Sequence, residues 1–329
     1  MKKILYFLLL IGLLLFIPAC AKDSGATKPD LIGSETTPTE KQEQIQYIIT
    51  QNYGHSILLK KQLPYQKNAN IIDGLLKTGA AIETSYGGSF ISDINGLKSE
   101  QGGKAGERSD WFYFVNGIFA DCGALDYLPQ PGEIVWWDYH TWKTAQGTPA
   151  VIGCFPEPFL HGYRGQVKTT TILIGSAEMA EKGAQLQRSL QEAGVSAVVV
   201  REIADDLLKK REGPSLALGE WQELKKLSWF RELNAAYQRN GTYLHFTEKG
   251  LDLLDYKGNV ASEIQGTAGV IMAIGEGNGD SSPLWIITGT DRSGTEAALA
   301  VLIHHPEDIW AAYSVVVVPD GTIKLPYMR

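Results

Sequence analysis

Ten aromatic residues crowd the span from Trp111 to Trp142: Trp111, Phe112, Tyr113, Phe114, Phe119, Tyr127, Trp136, Trp137, Tyr139 and Trp142. Most lie in two apolar runs, Trp111 to Val115 and Glu133 to Tyr139, which read as strands. Side chains alternate across a strand, so these rings cannot all enter one core. Trp111, Tyr113 and Val115 share one face, and Phe112 and Phe114 the other. Val135, Trp137 and Tyr139 likewise oppose Ile134, Trp136 and Asp138. A small β-domain with one covering helix has a single core face. One aromatic row is therefore core, and the other is exposed, covered by a second domain, or available to a ligand. Aromatic rows bury large areas with few torsions and suit flat ligands. Trp111, Trp137 and Tyr139 form the candidate ligand row, with core or interdomain packing as the alternative.

The N-terminus carries an address. Met1-Lys2-Lys3 precedes an apolar run from Ile4 to Ile17, which ends in Ile17-Pro18-Ala19-Cys20. A membrane-spanning helix needs roughly 20 apolar residues, and this run is shorter, matching the core of a signal peptide. A small residue before a Cys at that point resembles a bacterial lipobox. The resemblance implies that Cys20 is lipidated and begins the mature chain, with ordinary secretion as the alternative. The expected location is extracytoplasmic, lipid-anchored to the cell membrane at the cell surface. Residues 1–20 are set apart from the fold. Residues 21–44 lack aromatics and are rich in Ser, Thr, Lys, Glu and Pro, so they read as a disordered tether.

The chain beyond this tether is long enough for two domains. The formal net charge is −7 with a pI near 5.5. No block of Lys and Arg forms a phosphate-binding stripe, so nucleic acid is not an expected partner. Beyond Cys20 there remain Cys122 and Cys154. In an oxidising exterior they are a possible disulfide or two buried free thiols. No Cys-x-x-Cys is present.

Residues 45–143 read as a first domain of α+β class. Ile45–Thr50 and Ser56–Pro64 flank a turn at Asn52–His55. The apolar positions of Asn70–Lys77 share one helical face, capped by Asn68 or Asn70. Further strands fall near Gly88–Asn95 and in the two aromatic runs, and Gly102–Gly106 is a flexible connection. Two strands, a helix and more strands make a β-grasp-like sheet with one helix packed across it. Residues 144–167 are Gly/Pro-rich but contain Val151, Ile152, Phe155 and Phe159, so they read as an ordered strap. Residues 168–329 alternate strand (Thr169–Ile174), helix (Glu178–Ala193) and strand (Val195–Val200). That βαβ spacing predicts an α/β, three-layer domain with parallel strands. Later elements are a helical stretch over Glu220–Arg239, strands at Gly269–Ile274, Leu284–Thr288 and Tyr313–Val318, and a helix at Thr295–Ile303.

The order N-I-I-D-G-L-L-K, then Gly87-Gly88-Ser89-Phe90-Ile91-Ser92, W-F-Y-F-V-N-G, G-A-L-D-Y and P-G-E-I-V-W-W-D-Y resembles the transcobalamin-like C-terminal domain family over Gln46 to Trp142. In that family the domain closes over one face of vitamin B12, and it also occurs in bacterial surface lipoproteins. The resemblance implies a corrinoid as a bound ligand, contacted by loops and strand ends. Carried over residue by residue, the contacts are Ser89, Phe90, Ile91, Trp111 and Tyr113. Asn116 is a further candidate, with tight-turn chemistry at Asn116-Gly117 as the alternative. The family's large helical partner domain is absent here; the second domain is α/β.

Other motifs are weaker. His140 lies beside the aromatics and could replace an axial water on cobalt, but it also reads as an exposed strand-end residue. His55, His161, His245, His304 and His305 lack metal-ligand spacing, so no metal is expected. Gly275–Asp280 lacks the dinucleotide fingerprint and reads as a loop. Thr288–Thr295 sits between a strand and a helix, where Ser293 or Asp291 serves as cap, with a ligand or partner contact at the helix start as the alternative. No triad, carboxylate pair or Gly-x-Ser-x-Gly elbow appears, so no enzyme is expected and no cofactor is required. The leading expectation is a surface lipoprotein that binds a small ligand, by the resemblance a corrinoid, and delivers it to a membrane importer complex. The alternative is a surface interaction or adhesion module that binds protein or glycan.

Overall fold

Strand β1 (Gln44–Gln51) is buried on both of its faces, and that fact organises the molecule. Ile45, Tyr47 and Ile49 enter one core, while Ile48 enters another. The structure, a computed structural model, describes residues 43–100, 107–142 and 147–328. Cys20, most of the tether and the Gly102–Gly106 connection lie outside the described residues. Those described belong to one unit, Gln42–Arg329.

A turn joins β1 to β2 (Ser56–Pro64), and helix α1 (Ile71–Lys77) comes next. Asn70 caps α1 in a capping box: Asp73 N–H donates to Asn70 Oδ1 at 2.9 Å, and Asn70 N–H donates to Asp73 Oδ2 at 3.0 Å. Then β3 (Ile82–Ser85), β4 (Phe90–Ile94) and β5 (Leu97–Lys98) make a small antiparallel sheet. Strands β6 (Arg108–Val115), β7 (Ile118–Phe119) and β8 (Ile134–Trp142) complete a five-stranded sheet ordered β2-β1-β8-β6-β7. The central β1–β8 pair is parallel, and its neighbours are antiparallel. Helix α1 covers one face through Ile71 and Leu75, over Tyr47, Val135 and Trp137. It comes so close to β1 that a Cβ built on Gly74 would stand 1.9 Å from Tyr47 Oη.

The strap over residues 147–166 is ordered. Its Val151 N–H donates to Gly117 O at 2.8 Å, and Phe119 N–H donates to Pro149 O at 2.9 Å. Beyond it run β9 (Thr170–Ile174), α2 (Ala180–Glu192), β10 (Val198–Glu202), α3 (Asp205–Lys209), β11 (Ser215–Leu218), α4 (Trp221–Leu224) and α5 (Ser228–Ala235). The remaining elements are β12 (Leu244–Phe246), β13 (Gly250–Leu254), β14 (Val260–Gln265), β15 (Gly269–Ile274), β16 (Leu284–Gly289), α6 (Arg292–His304), β17 (Ser314–Val318) and β18 (Gly321–Leu325). Seven strands form a sheet ordered β10-β9-β11-β16-β15-β17-β18. Its first four are parallel and the rest antiparallel. The molecule is thus a mixed α+β protein of several sheets, with more strand than helix.

Two cores flank the seven-stranded sheet. Leu186 and Leu190 of α2 and Leu299 and Leu302 of α6 bury one face, with Ile172, Leu216 and Ile287. The opposite face, including Leu173, Met272 and Ile286, meets α4, α5 and the β12–β14 sheet. The same core takes in Ile48, Phe114 and Trp136, so the two large sheets are packed against each other.

Several expectations need correction. The stretch Glu220–Arg239 is not one helix. Leu227 turns extended, with ψ 140°, because Asp205 accepts from Ser228 N–H at 3.3 Å and Trp229 N–H at 3.0 Å, starting α5 afresh. Of the two caps expected for the helix starting at Arg292, Asp291 is the one used; Gly294 N–H donates to it at 2.8 Å. Cys122 and Cys154 do not pair; both are free. Cys154 is buried in the core shared with Phe114 and Trp136, whereas Cys122 packs against the core beneath α1. The five-stranded sheet separates those cores.

Candidate functional site

The site begins at the β1–β2 turn. Asn52, Tyr53 and Gly54 take φ of 56°, 58° and 77°, the left-handed region that a tight hairpin turn demands. Gly54 is obligatory: a Cβ there would lie 1.9 Å from Ala311 O, across the junction of the two large sheets. One buried carboxylate holds the turn. Asp138 on β8 accepts from Thr50 Oγ1 at 2.5 Å, Tyr53 N–H at 3.0 Å and Gly54 N–H at 2.9 Å.

Two residues along the same face stands His140. Its Nδ1 lies 2.7 Å from Asp138 Oδ2, which assigns the ring proton to Nδ1. No described residue hydrogen-bonds Nε2. The imidazole is sandwiched between Tyr53, with centroids 3.9 Å apart, and Phe112, at 4.2 Å. Tyr313 meets it edge-on at 5.9 Å.

A cavity of about 230 Å³ opens beside this ring. Phe112 and Trp142 of the first sheet line it, with Tyr243, Tyr256 and Tyr313 from the far side and Thr148 of the strap. Asn278 stands exposed at its margin. Burial raises the Tyr243 phenol to about 12 and raises Tyr53 and Tyr313 well above the usual value. These hydroxyls therefore stay protonated and able to donate. The walls are mainly apolar, and the polar groups are few and fixed, the usual make-up of a small-molecule site.

The row expected to meet a ligand lies on the other side of the sheet. Trp111 is 5% exposed and Trp137 3%, both under α1. Trp111 Nε1–H donates to Leu97 O at 2.8 Å. Tyr113 stacks on Trp137 at 4.8 Å, and its hydroxyl donates to Cys122 O. Tyr139 packs at 5.1 Å from Trp111 and donates to Lys98 O at 2.6 Å. Trp111 and Trp137 thus lie in the core, with Tyr113 and Tyr139 partly buried against it, rather than on the cavity wall. Asn116 is fully buried as a brace: Nδ2 donates to Gly162 O at 2.6 Å, and Oδ1 accepts from Ile134 N–H at 2.8 Å. Ile91 is buried, Phe90 half-buried and Ser89 exposed, near Tyr86, which is 87% exposed. His140, expected exposed, is only 7% so, because Tyr53 and Phe112 enclose it. The sequence reading missed Tyr53, Phe112, Trp142, Tyr243, Tyr256 and Tyr313 as a group. The alternation of Phe112, Phe114, Trp136, Asp138 and His140 carried the signal for the first-sheet half. Nothing local carried it for the tyrosines of the second.

Among the described residues, no group of three or more His, Cys, Asp and Glu is placed to hold a metal ion. Nor is any described helix long and apolar enough to cross a membrane. The family described as a domain of unknown function (DUF4430) matches residues 68–141. That stretch contains Phe112, Asp138 and His140 but not Tyr53 or the second half of the cavity wall. No curated protein matches the chain. A crystal structure from Ruminococcus gnavus ATCC 29149, described as a "putative metal binding protein", is 12% identical, with a TM-score of 0.22. The match covers 30% of this chain and 96% of the other. A likeness that low carries no argument about the ligand of this chain.

Proposed function

We propose that this chain is an extracytoplasmic, lipid-anchored binding protein whose aromatic cavity takes a compact, ring-sized small molecule. The observation that carries the reading is the cavity of about 230 Å³ between the two large sheets, with one imidazole edge fixed by a buried carboxylate. A cavity of roughly 150 Å³ suffices for benzene, and drug-sized ligands need roughly 300–1,000 Å³. The ligand is therefore of one or two rings, or an equivalent volume. Membrane attachment rests on Cys20 and the apolar run before it. The sheet order β2-β1-β8-β6-β7, with its parallel β1–β8 pair and α1 on one face, supports a β-grasp-like first domain. Helices on one face of the second sheet, with α4 and α5 on the other, support a layered α/β partner.

The test is ligand-observed NMR of the full chain against a fragment library of compact rings, with Asn278→Trp as a plug at the exposed cavity margin. Saturable binding lost in Asn278→Trp at unchanged melting temperature supports the reading. Hits that ignore the plug sink it.

A corrinoid is the ligand implied by the transcobalamin-like resemblance, and it is too large to enter this cavity. The exposed Tyr86, 6.2 Å from Phe90 and close to Ser89, favours a second, surface mode for it. Titration with cyanocobalamin and cobinamide separates the two. Binding abolished by Tyr86→Ala but indifferent to Asn278→Trp would establish the surface mode. No binding at high micromolar concentration removes the corrinoid and its importer from consideration.

A further inference from the structure

We infer that the cavity selects a compact organic cation, an ammonium group on a small body, over a neutral molecule of the same shape. The inference rests on the cavity being a ligand site. Aromatic rings converge on it from both sheets: Tyr53, Phe112 and Trp142 from one side, and Tyr243, Tyr256 and Tyr313 from the other. Their faces carry negative charge density, and grouped rings hold quaternary and primary ammonium ions in this way.

Two of these rings already attract cations of the protein itself. The Arg108 guanidinium lies 5.4 Å from the centroid of Trp142, and Lys257 Nζ lies 5.2 Å from that of Tyr256. Neither basic group lines the cavity, and Lys257 is neutralised by Glu107 at 2.6 Å. No Lys or Arg is among the described lining residues. Of the ring nitrogens there, His140 Nδ1 faces Asp138 and Trp142 Nε1–H faces Asp110.

Behind the wall stand two carboxylates. Asp138 backs His140 at 2.7 Å. Asp110 lies on the cavity face of β6, two residues before Phe112 and paired in register with His140. It is 6% exposed, and Oδ2 accepts from Trp142 Nε1–H at 2.7 Å, but Oδ1 meets no donor. A buried carboxylate oxygen without a donor is costly, and a cation in the adjoining cavity offsets that cost through low-dielectric attraction. The rings and the two carboxylates favour a positive guest.

The experiment is calorimetric titration of the full chain with two matched pairs: choline against 3,3-dimethylbutan-1-ol, and tyramine against 4-ethylphenol. The expected result is that at least one cation binds about 10-fold or more tighter than its neutral partner, with binding lost in Asn278→Trp. Tyr256→Leu, at the half-buried rim, is expected to weaken the cation more than the neutral partner. Equal or tighter binding of the neutral partners, blocked by the same plug, overturns the cation while leaving the cavity as a ligand site. Binding of any compound that the plug does not affect overturns both readings, as does failure of all four compounds and of the fragment library to bind.

Discussion

His140 Nδ1 stands 2.7 Å from Asp138 Oδ2, and the same carboxylate ties down the β1–β2 turn through Tyr53 and Gly54. One side chain thus sets both the imidazole edge at the cavity and the ring that stacks on it. Asp138→Ala leaves two backbone N–H groups, the Thr50 hydroxyl and the imidazole without their acceptor. The expected loss is about 3–5 kcal/mol, the cost of breaking a buried charged network. Urea unfolding checks it, read as a shift in midpoint at constant slope.

Helix α1 depends on a glycine for its distance from β1. In Gly74→Ala the new methyl would sit 1.9 Å from Tyr47 Oη, so the helix or the ring must move. The expected cost is about 1–3 kcal/mol. Because the nearest atom is the hydroxyl oxygen, Tyr47→Phe in the same chain recovers part of the loss. Thermal melts of the two single variants and the double variant test this, and equal melting temperatures for Gly74→Ala and the double variant would count against it.

Glu133 gives the fold a pH dependence. Burial pushes its carboxyl up from 4.5 to about 7, against the donations from Gln130 N–H, Tyr127 and Gly165 N–H. A carboxyl raised in the folded state binds more protons folded than unfolded. Its contribution is therefore fully present below about pH 4.5 and lost as pH rises to about 7, on the order of 3 kcal/mol. Glu133→Gln is expected to flatten that limb of the stability–pH curve between those values. A limb unchanged in the variant would assign the dependence to other groups.

The two described cysteines differ in access. Cys154 is fully buried, and burial raises its thiol well above the usual value. Cys122 is half-buried beside Arg164, whose Nη2 lies 3.2 Å from Sγ. Thiol labelling of the native chain, mapped by peptide mass, is expected to modify Cys122 and spare Cys154 until denaturant is added. A non-reduced peptide linking the two would contradict the pair of free thiols.

Much of the fold was legible along the chain. The Ile71, Ile72 and Leu75 face, the Asn70 cap and the Asn52–His55 turn are local signals, and each is where it was expected, whereas Leu76, read onto the same face, is exposed. Strands β9, β15, β16 and β17 announce themselves as β-branched or apolar runs between breakers. The split of α4 from α5 was not legible, because the cap at Ser228 comes from Asp205, which is distant in sequence. Strands β12–β14 are short and mix charged residues with leucines, so they carry little periodic signal. For the site, alternation correctly divided the aromatics into two rows. It could not say which row α1 covers, since Trp111 and Phe112 are equally apolar. Only the packing of the second sheet decides that, and the tyrosines completing the cavity lie at positions 243, 256 and 313.

The shared face has a consequence for modularity. Excised at residue 142, the five-stranded sheet would carry Phe112, Phe114 and Trp136 as a naked wall, along with a cup missing its far side. Such a fragment would meet water with a sticky plate where the whole protein has a chamber. A homologous domain working alone must therefore repaint that plate with polar residues or find another body to lean on. Which of these it does can be read from the identities at positions 112, 114 and 136 alone.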